Sequence, residues 1–319
     1  RTLSIIERTL RWVKELHGVE VDWSAVPDDD AATYAMLGRG ETTGVFQLES
    51  TGMRRVLREM KPTHFEDIIS VLALYRPGPM EFIPKYIAGK HGKAEVVYPH
   101  PSLEPILRDT HGIIVYQEQI MQIASRMAGF SLGEADLLRC AVSKKKREVL
   151  DEQRAAFVAG SVRQGFSAED ADAVYDMIVR FADYGFPRAH ATAYAVLAFQ
   201  TAYLKAHYPV EFMAAMLTAN MGSHRKVAEY VDECRHMGIP VLPPDVNESG
   251  VLFTPVVTGG GSGGAIRFGL AAVKNVGTQA IESILSARAS GGRFIDLVDL
   301  CRRVDLRVCN KRVLESLIA

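Results

Sequence analysis

Residues 238–249 read GIPVLPPDVNES, and this stretch constrains the fold of the whole chain. Pro240, Pro243 and Pro244 each fix φ and remove a backbone donor, so no helix can run through it. Before it, nearly every segment carries apolar residues at helical spacing. Leu3, Ile6, Leu10, Val13 and Leu16 line one face of residues 1–17. Further helices are expected over 113–128, 131–142, 190–207, 210–220 and 223–237. Aspartates in VPDDD precede one helix start, and the pairs Ser131/Glu134 and Ser167/Asp170 have capping-box spacing. ETTGVFQLES, 41–50, reads as short strand or turn, and LYRPGPM, 74–80, as a stiff turn. After the proline stretch, VLFTPVV and AIRFGLAAV read as strands around the flexible TGGGSGG, and 278–319 returns to helix. The expected fold is therefore mainly α. A large multi-helix domain with a few short strands covers 1–245, and a small α+β module covers 246–319. No internal repeat is present.

Several function classes are disfavoured at once. With 37 Lys and Arg against 38 Asp and Glu the net charge is −1, so any nucleic-acid binding must rest on local basic patches. The four cysteines form no C-x-x-C pair, which argues against zinc and against a disulfide framework and suits a reducing compartment. The apolar run at 191–204 is too short to cross a bilayer, and no secretory signal opens the chain. GRGETTG fails the phosphate-loop pattern, there is no H-E-x-x-H, and PDDD at 27–30 sits where it would cap a helix. A nucleotide-binding hydrolase is thus disfavoured, and no carboxylate pair for two-metal chemistry is visible. The start at Arg1 and the stop in RVLESLIA read as a piece of a longer chain.

Anion-binding equipment, by contrast, recurs. In LLRCAVSKKKREVL, 137–150, five cations and no acid lie between Arg139 and Arg147. If a helix begins near Ser143, Lys144, Lys145, Lys146 and Arg147 crowd its positive end, which a bound phosphate would relieve. On one continuous helix, Arg139, Ser143, Lys146 and Arg147 share a face instead. A solvated charged surface is the alternative. Cys140 reads as a small packing residue. FADYGFPRAHATAY, 181–194, sets Arg188 and His190 at the mouth of a long helix beside Tyr184 and Phe186. That arrangement suits phosphate and base, or else a helix-entry loop with core aromatics. Tyr194, Leu197 and Thr201 are expected to face the core. KYIAGKHGK, 85–93, reads as a Gly-containing basic loop, solvated or else in contact with a backbone phosphate, and in RPGPM only Arg76 is a candidate ligand. FGLAAVKNVGTQAIESILSA, 268–287, reads helix, turn, helix. Its turn Lys274, Asn275, Val276, Gly277 could offer backbone N–H groups to a DNA phosphate, or be an ordinary αα-hairpin.

GETTGVFQLES, ALYRPGPM, GIIVYQEQIMQIA, SLGEADLLR, SKKKREVL, FADYGFPRAHATAYA, LKAHYPVEFMAAML and GLAAVKNVG follow one another in this chain. Together they closely resemble the bacterial replicative DNA polymerase III alpha subunits, the C-family polymerases, over essentially the whole sequence. The resemblance implies a fingers domain followed by the start of the helix-hairpin-helix region. It implies that the palm aspartates lie upstream of Arg1, so this chain holds no catalytic or metal-binding residue and does not extend primers alone. Mg2+ would belong to the complete polymerase. By resemblance, Arg139 holds the incoming triphosphate with Lys144, Lys145 and Lys146 nearby. Arg188 and His190 lie near the nascent base pair, Arg76 is a further nucleotide contact, and Lys274 to Gly277 touch the duplex backbone. The implied partners are primer–template DNA, deoxynucleoside triphosphates, the sliding clamp and other replisome subunits, in the bacterial cytoplasm and not at a membrane. Family members usually carry a second arginine at Cys140, Asn at Pro187 and often Ser at Ala189. The competing reading is a non-catalytic DNA- or partner-binding module.

Overall fold

The computed structural model describes residues 1–144, 147–182, 184–257 and 263–318. Among them are sixteen α-helices and one three-stranded sheet, so the chain is mainly α with a small α+β part, as expected. None of the described helices is long and apolar enough to cross a membrane. Two compact units interleave along the sequence. One holds Arg1–Thr33, Thr42–Glu49 and Gln200–Ala319, and the other Tyr34–Glu41 and Ser50–Phe199.

The unit containing Ser50–Phe199 is built around Gln117–Ala128, whose Ile120, Ile123, Ala124 and Met127 are buried. Leu132–Lys144, Arg147–Arg163 and Ala168–Ala182 pack on it and on one another. Phe157 and Tyr175 meet between two of these helices with ring centroids 5.7 Å apart. Gly160 permits the close approach, since a Cβ there would strike the carbonyl of Ala128. Ser131 and Glu134 form the anticipated reciprocal cap: Glu134 accepts from the Ser131 N–H at 2.8 Å, and Ser131 Oγ accepts from the Glu134 N–H at 3.3 Å. Asp170 N–H likewise donates to Ser167 Oγ at 3.0 Å. The helix expected from 113 starts instead at Gln117. Residues before it are extended because the Gln119 carboxamide accepts from the N–H groups of Val115 and Tyr116, at 2.8 and 2.9 Å.

In the other unit, Pro209–Ala219 is buried along almost its whole length. Thr2–His17, His224–His236 and two strands pack around it. ETTGVFQLES forms turns, with Val45 and Leu48 buried. Lys205 is also buried, its Nζ 2.9 Å from the Thr43 carbonyl and 2.7 Å from Glu233. The sheet has Gly264–Arg267 at its centre, Thr254–Val257 antiparallel on one side and Val241–Leu242 parallel on the other. That last strand lies inside the proline stretch that the sequence marks as a boundary. It is tolerated because no proline has to donate to the ladder: Ile266 N–H donates to the Pro240 carbonyl at 2.8 Å and Phe268 N–H to the Leu242 carbonyl at 3.0 Å. Residues 258–262 of the Gly/Ser run lie outside the described residues. Beyond the sheet, Thr278–Gly291, Leu297–Arg303 and Lys311–Ile318 enclose a small core of Leu270, Ile281, Ile284, Leu300 and Cys309. The helix expected before the 274–277 turn is a single 3-10 turn, Leu270–Ala272. It is short because Val273 is extended, at φ −76° and ψ 127°.

Candidate functional site

Four segments of the Ser50–Phe199 unit meet around Gln117. The first is the RPGP turn. Arg76 Nε donates to the Ala73 carbonyl at 2.9 Å and Nη2 to the Tyr184 carbonyl at 2.8 Å. Its guanidinium lies 4.3 Å from the centroid of the Phe186 ring. Burial lowers its pKa, yet it stays a cation. Gly78 has φ 98° and faces Tyr184 so closely that a Cβ would overlap the ring. Arg76 therefore ties the end of the helix before it to the neighbouring loop.

That loop, 184–187, is the second segment. Phe186 pairs with the extended residues before Gln117 in a short parallel bridge. Its N–H donates to Val115 at 3.1 Å, and its carbonyl accepts from Gln117 N–H at 3.0 Å. Gln117 Nε2 adds a bond to the Gly185 carbonyl at 3.1 Å. The helix that follows, Arg188–His207, starts two residues before the expected 190. Its first N–H, from Arg188, donates to both Glu118 oxygens at 3.0 and 2.8 Å, so a carboxylate sits at the positive end of the helix. The Arg188 guanidinium pairs with Glu66 and lies 5.8 Å from the Tyr116 ring centroid. Burial opposes its charge, but Glu66 outweighs this and raises the pKa. His190 is exposed and sits between Phe186 and Tyr194, at 5.3 and 4.6 Å between ring centroids. The expectation that Tyr194 faces the core is corrected: it is an exposed residue beside His190, whereas Thr201 is buried. The apolar run 191–204 has no polar stripe to show its outer face.

The third and fourth segments are the 115–119 stretch and the Leu132–Lys144 helix. Arg139 donates from Nε to Asp136 at 2.8 Å, from Nη1 to Gln117 Oε1 at 3.3 Å and from Nη2 to Cys140 Sγ at 3.2 Å. The Asp136 hydrogen bond is the main cause of its raised pKa. Gln117 thus joins Arg139 on one side to the loop leading to Arg188 on the other. Arg76, Arg139, Arg188 and His190 are brought into one neighbourhood. Ser143 and Lys144 are helical at the end of Leu132–Lys144, so no helix begins at Ser143, and Arg147 is helical in Arg147–Arg163. Lys145 and Lys146 lie outside the described residues. Among the 85–93 cations, Lys90 is not solvated: its Nζ lies 2.8 Å from the buried Asp67 carboxylate.

The turn at 274–277 is built differently. Asn275 has φ 68°, the left-handed conformation that residue type favours, and its Nδ2 donates to Ser316 Oγ at 3.2 Å. Gly277 does not share it: its φ is −83° and it caps the Thr278–Gly291 helix. Val276 is buried in the small core, and its N–H closes the turn on Val273 at 3.3 Å, so its side chain is no surface contact. Lys274, Asn275 and Gly277 are exposed.

Sequence reasoning passed over Glu66, Gln117, Glu118 and Asp136. The signal was the polar run Gln-Glu-Gln directly after the apolar IIVY in GIIVYQEQ, which marks an element start with side chains turned to neighbours. No group of three or more His, Cys, Asp or Glu that could hold a metal ion occurs among the described residues. The carboxylates nearest the arginines are each engaged with a cation or a helix terminus, so the residues present do not fit magnesium.

Residues 2–165 match the family model for the bacterial DNA polymerase III alpha subunit finger domain, and 238–319 match a helix-hairpin-helix motif. Among curated relatives, the DNA polymerase III subunit alpha of Halalkalibacterium halodurans is 52% identical over 318 residues. That of Bacillus subtilis is 50% identical over 318 residues, and that of Thermus aquaticus 53% over 323. Each alignment covers 100% of this chain but only 28%, 28% and 26% of the respective relative, so the chain spans just over a quarter of their length.

Proposed function

We propose, for a chain that belongs to the bacterial DNA polymerase III alpha subunit finger-domain family, that it binds the incoming nucleotide and the duplex within a bacterial replicative DNA polymerase. The observation that carries this reading is the gathering of Arg76, Arg139, Arg188 and His190 around Gln117, beside the N-terminus of a long helix. Arg139 and Arg188 are the two whose guanidinium groups can turn to a triphosphate. Arg76 supports the loop. His190 and Tyr194 offer ring faces at the base pair. Lys144, Lys145 and Lys146 are assigned to the same triphosphate or to the template backbone on the family resemblance alone. At the 274–277 turn, Lys274 and the N–H groups of Asn275 and Gly277 meet a phosphate of the duplex without reading sequence. Val276 serves from within the core.

In the complete enzyme the reaction is in-line transfer of a nucleotidyl group to a primer hydroxyl. The guanidiniums neutralise the charge that builds on the departing pyrophosphate. Magnesium belongs to the complete polymerase in this reading, and none of this chain's residues is assigned to it. The palm aspartates stand upstream of Arg1, and the change of character near 245 marks the start of the helix-hairpin-helix module. Partners are primer–template DNA, deoxynucleoside triphosphates, the sliding clamp and other replisome subunits, in the bacterial cytoplasm. The second reading, a non-catalytic DNA-binding module, is favoured only by the 274–277 turn.

Two measurements separate them. The purified 319-residue chain should bind primer–template without extending it; extension would overturn the placement of the palm aspartates. In the full-length polymerase, Arg139→Ala should raise the nucleotide KM by roughly 10- to 100-fold, the loss of charge-assisted hydrogen bonds to phosphate. An unchanged KM would remove Arg139 from the site and favour the binding module.

A further inference from the structure

The arginines of this site already hold anions of the protein's own. Asp136 accepts from Arg139 at 2.8 Å, Glu66 pairs with Arg188, and Glu118 takes the first N–H of the Arg188–His207 helix at 2.8 Å. Three positions where phosphate oxygens could sit are thus filled by three carboxylates. Glu118 is tied to backbone that cannot turn away, so it is a fixed cap. The other two are tied to guanidiniums, which sit on long side chains with several rotatable bonds. Their exposure separates them from the buried pair of Lys205 and Glu233. Side-chain exposure is 26% and 51% for Arg139 and Asp136, and 43% and 38% for Arg188 and Glu66. For Lys205 and Glu233 it is 1% and 17%. A buried pair like the last cannot be opened by an incoming ligand, whereas a half-exposed pair can exchange its acid for another anion at little desolvation cost.

We propose that Asp136 and Glu66 are positioning residues that act as internal stand-ins for the nucleotide's phosphates. They hold Arg139 and Arg188 in the empty site, yield them to the triphosphate, and reclaim them as pyrophosphate leaves. The inference rests on the reading of Arg139 and Arg188 as phosphate ligands. Without the carboxylates, the guanidiniums that converge on Gln117 and the 184–188 loop would repel one another in the empty site. With them, every binding event must break an internal pair, so nucleotide and pyrophosphate bind less tightly than the arginines alone would allow. The same competition favours product release.

The test uses the full-length polymerase. Asp136→Asn and Glu66→Gln should each lower the nucleotide KM by roughly two- to fivefold, the size of a half-exposed ion pair. Inhibition by inorganic pyrophosphate should strengthen by the same factor. A residue needed only for folding would move both constants the other way when altered. Asp136→Asn should have no effect in an Arg139→Ala background, because its partner is gone. If Arg139→Ala raises KM while Asp136→Asn and Glu66→Gln leave KM unchanged or raise it, the stand-in role is refuted and the phosphate site survives. If Asp136→Asn still lowers KM without Arg139, the acid acts elsewhere and the proposal also falls. If Arg139→Ala leaves KM unchanged, the underlying reading fails with it. Should one substituted polymerase fail to fold, the other acid carries the same comparison independently.

Discussion

The arginine cluster around Gln117 and the turn at 274–277 are both suited to anions, but they are made from opposite materials. In the first, charge comes from long side chains, and every guanidinium is already engaged: Arg76 with two carbonyls, Arg139 with Asp136, Arg188 with Glu66. In the second, the donors are backbone N–H groups at the start of Thr278–Gly291 and a single exposed lysine. Side-chain charge held by competing acids gives a site that can be emptied and refilled. Backbone donors on a rigid turn cannot rearrange, and they suit a ligand whose backbone is the same at every position. The two regions also differ in packing. A Cβ on Gly78 would run into Tyr184, whereas a Cβ on Gly277 would have nothing within 4 Å.

The largest effect should follow from Gly78→Ala. It combines an overlap with the Tyr184 ring and a φ of 98° that alanine resists, a cost of about 2–5 kcal/mol. Denaturant unfolding would register it, and a stability within 1 kcal/mol of the parent, roughly the cost of a mild repacking, would mean the turn is not clamped as described. Arg76→Met comes next. It strands the carbonyls of Ala73 and Tyr184 and should cost about 2–3 kcal/mol. Arg76→Lys should not restore stability, since one ammonium cannot span both carbonyls and lie over Phe186. If Arg76→Met instead raised the nucleotide KM without loss of stability, Arg76 would join Arg139 as a direct ligand.

Much of the local structure could be read from sequence because its causes are local. Asp30 caps its helix by accepting from Thr33 N–H at 2.9 Å, and the Ser131/Glu134 and Ser167/Asp170 pairs do what their spacing implies. Asn275 takes the left-handed conformation expected of the turn. What was illegible depends on distant partners. Val241–Leu242 is a strand of 2 residues that exists only because Gly264–Arg267 lies beside it. Lys90 looks like any surface lysine until Asp67 is brought to it. The site is the clearest case. Arg76, Arg139, Arg188 and His190 were legible as charged residues in notable surroundings. Their shared attachment was not, because it runs through Gln117, whose side chain meets a carbonyl 68 residues away.

At the hairpin turn the expected effects are smaller and separable. Lys274→Ala should lower affinity for duplex DNA a few-fold, equally for unrelated sequences. It should also reduce the slope of log affinity against log salt by about 0.9, the loss of one phosphate contact. A sequence-dependent loss would mean that Lys274 reaches a base. Gly277→Ala is the finest test of the contrast. At φ −83° and ψ 164° any residue is comfortable, and the added methyl meets nothing. Stability should therefore stay within about 0.5 kcal/mol of the parent. The Gly277 N–H, proposed as the phosphate donor, is retained, so DNA affinity should change by less than about twofold if the contact is made along the helix axis. A tenfold loss of affinity at unchanged stability, equivalent to about 1.4 kcal/mol, would show that DNA packs on the Cα itself. The turn would then be a steric seat as closely fitted as Gly78 against Tyr184, and the contrast between an open site and a clamped one would not hold.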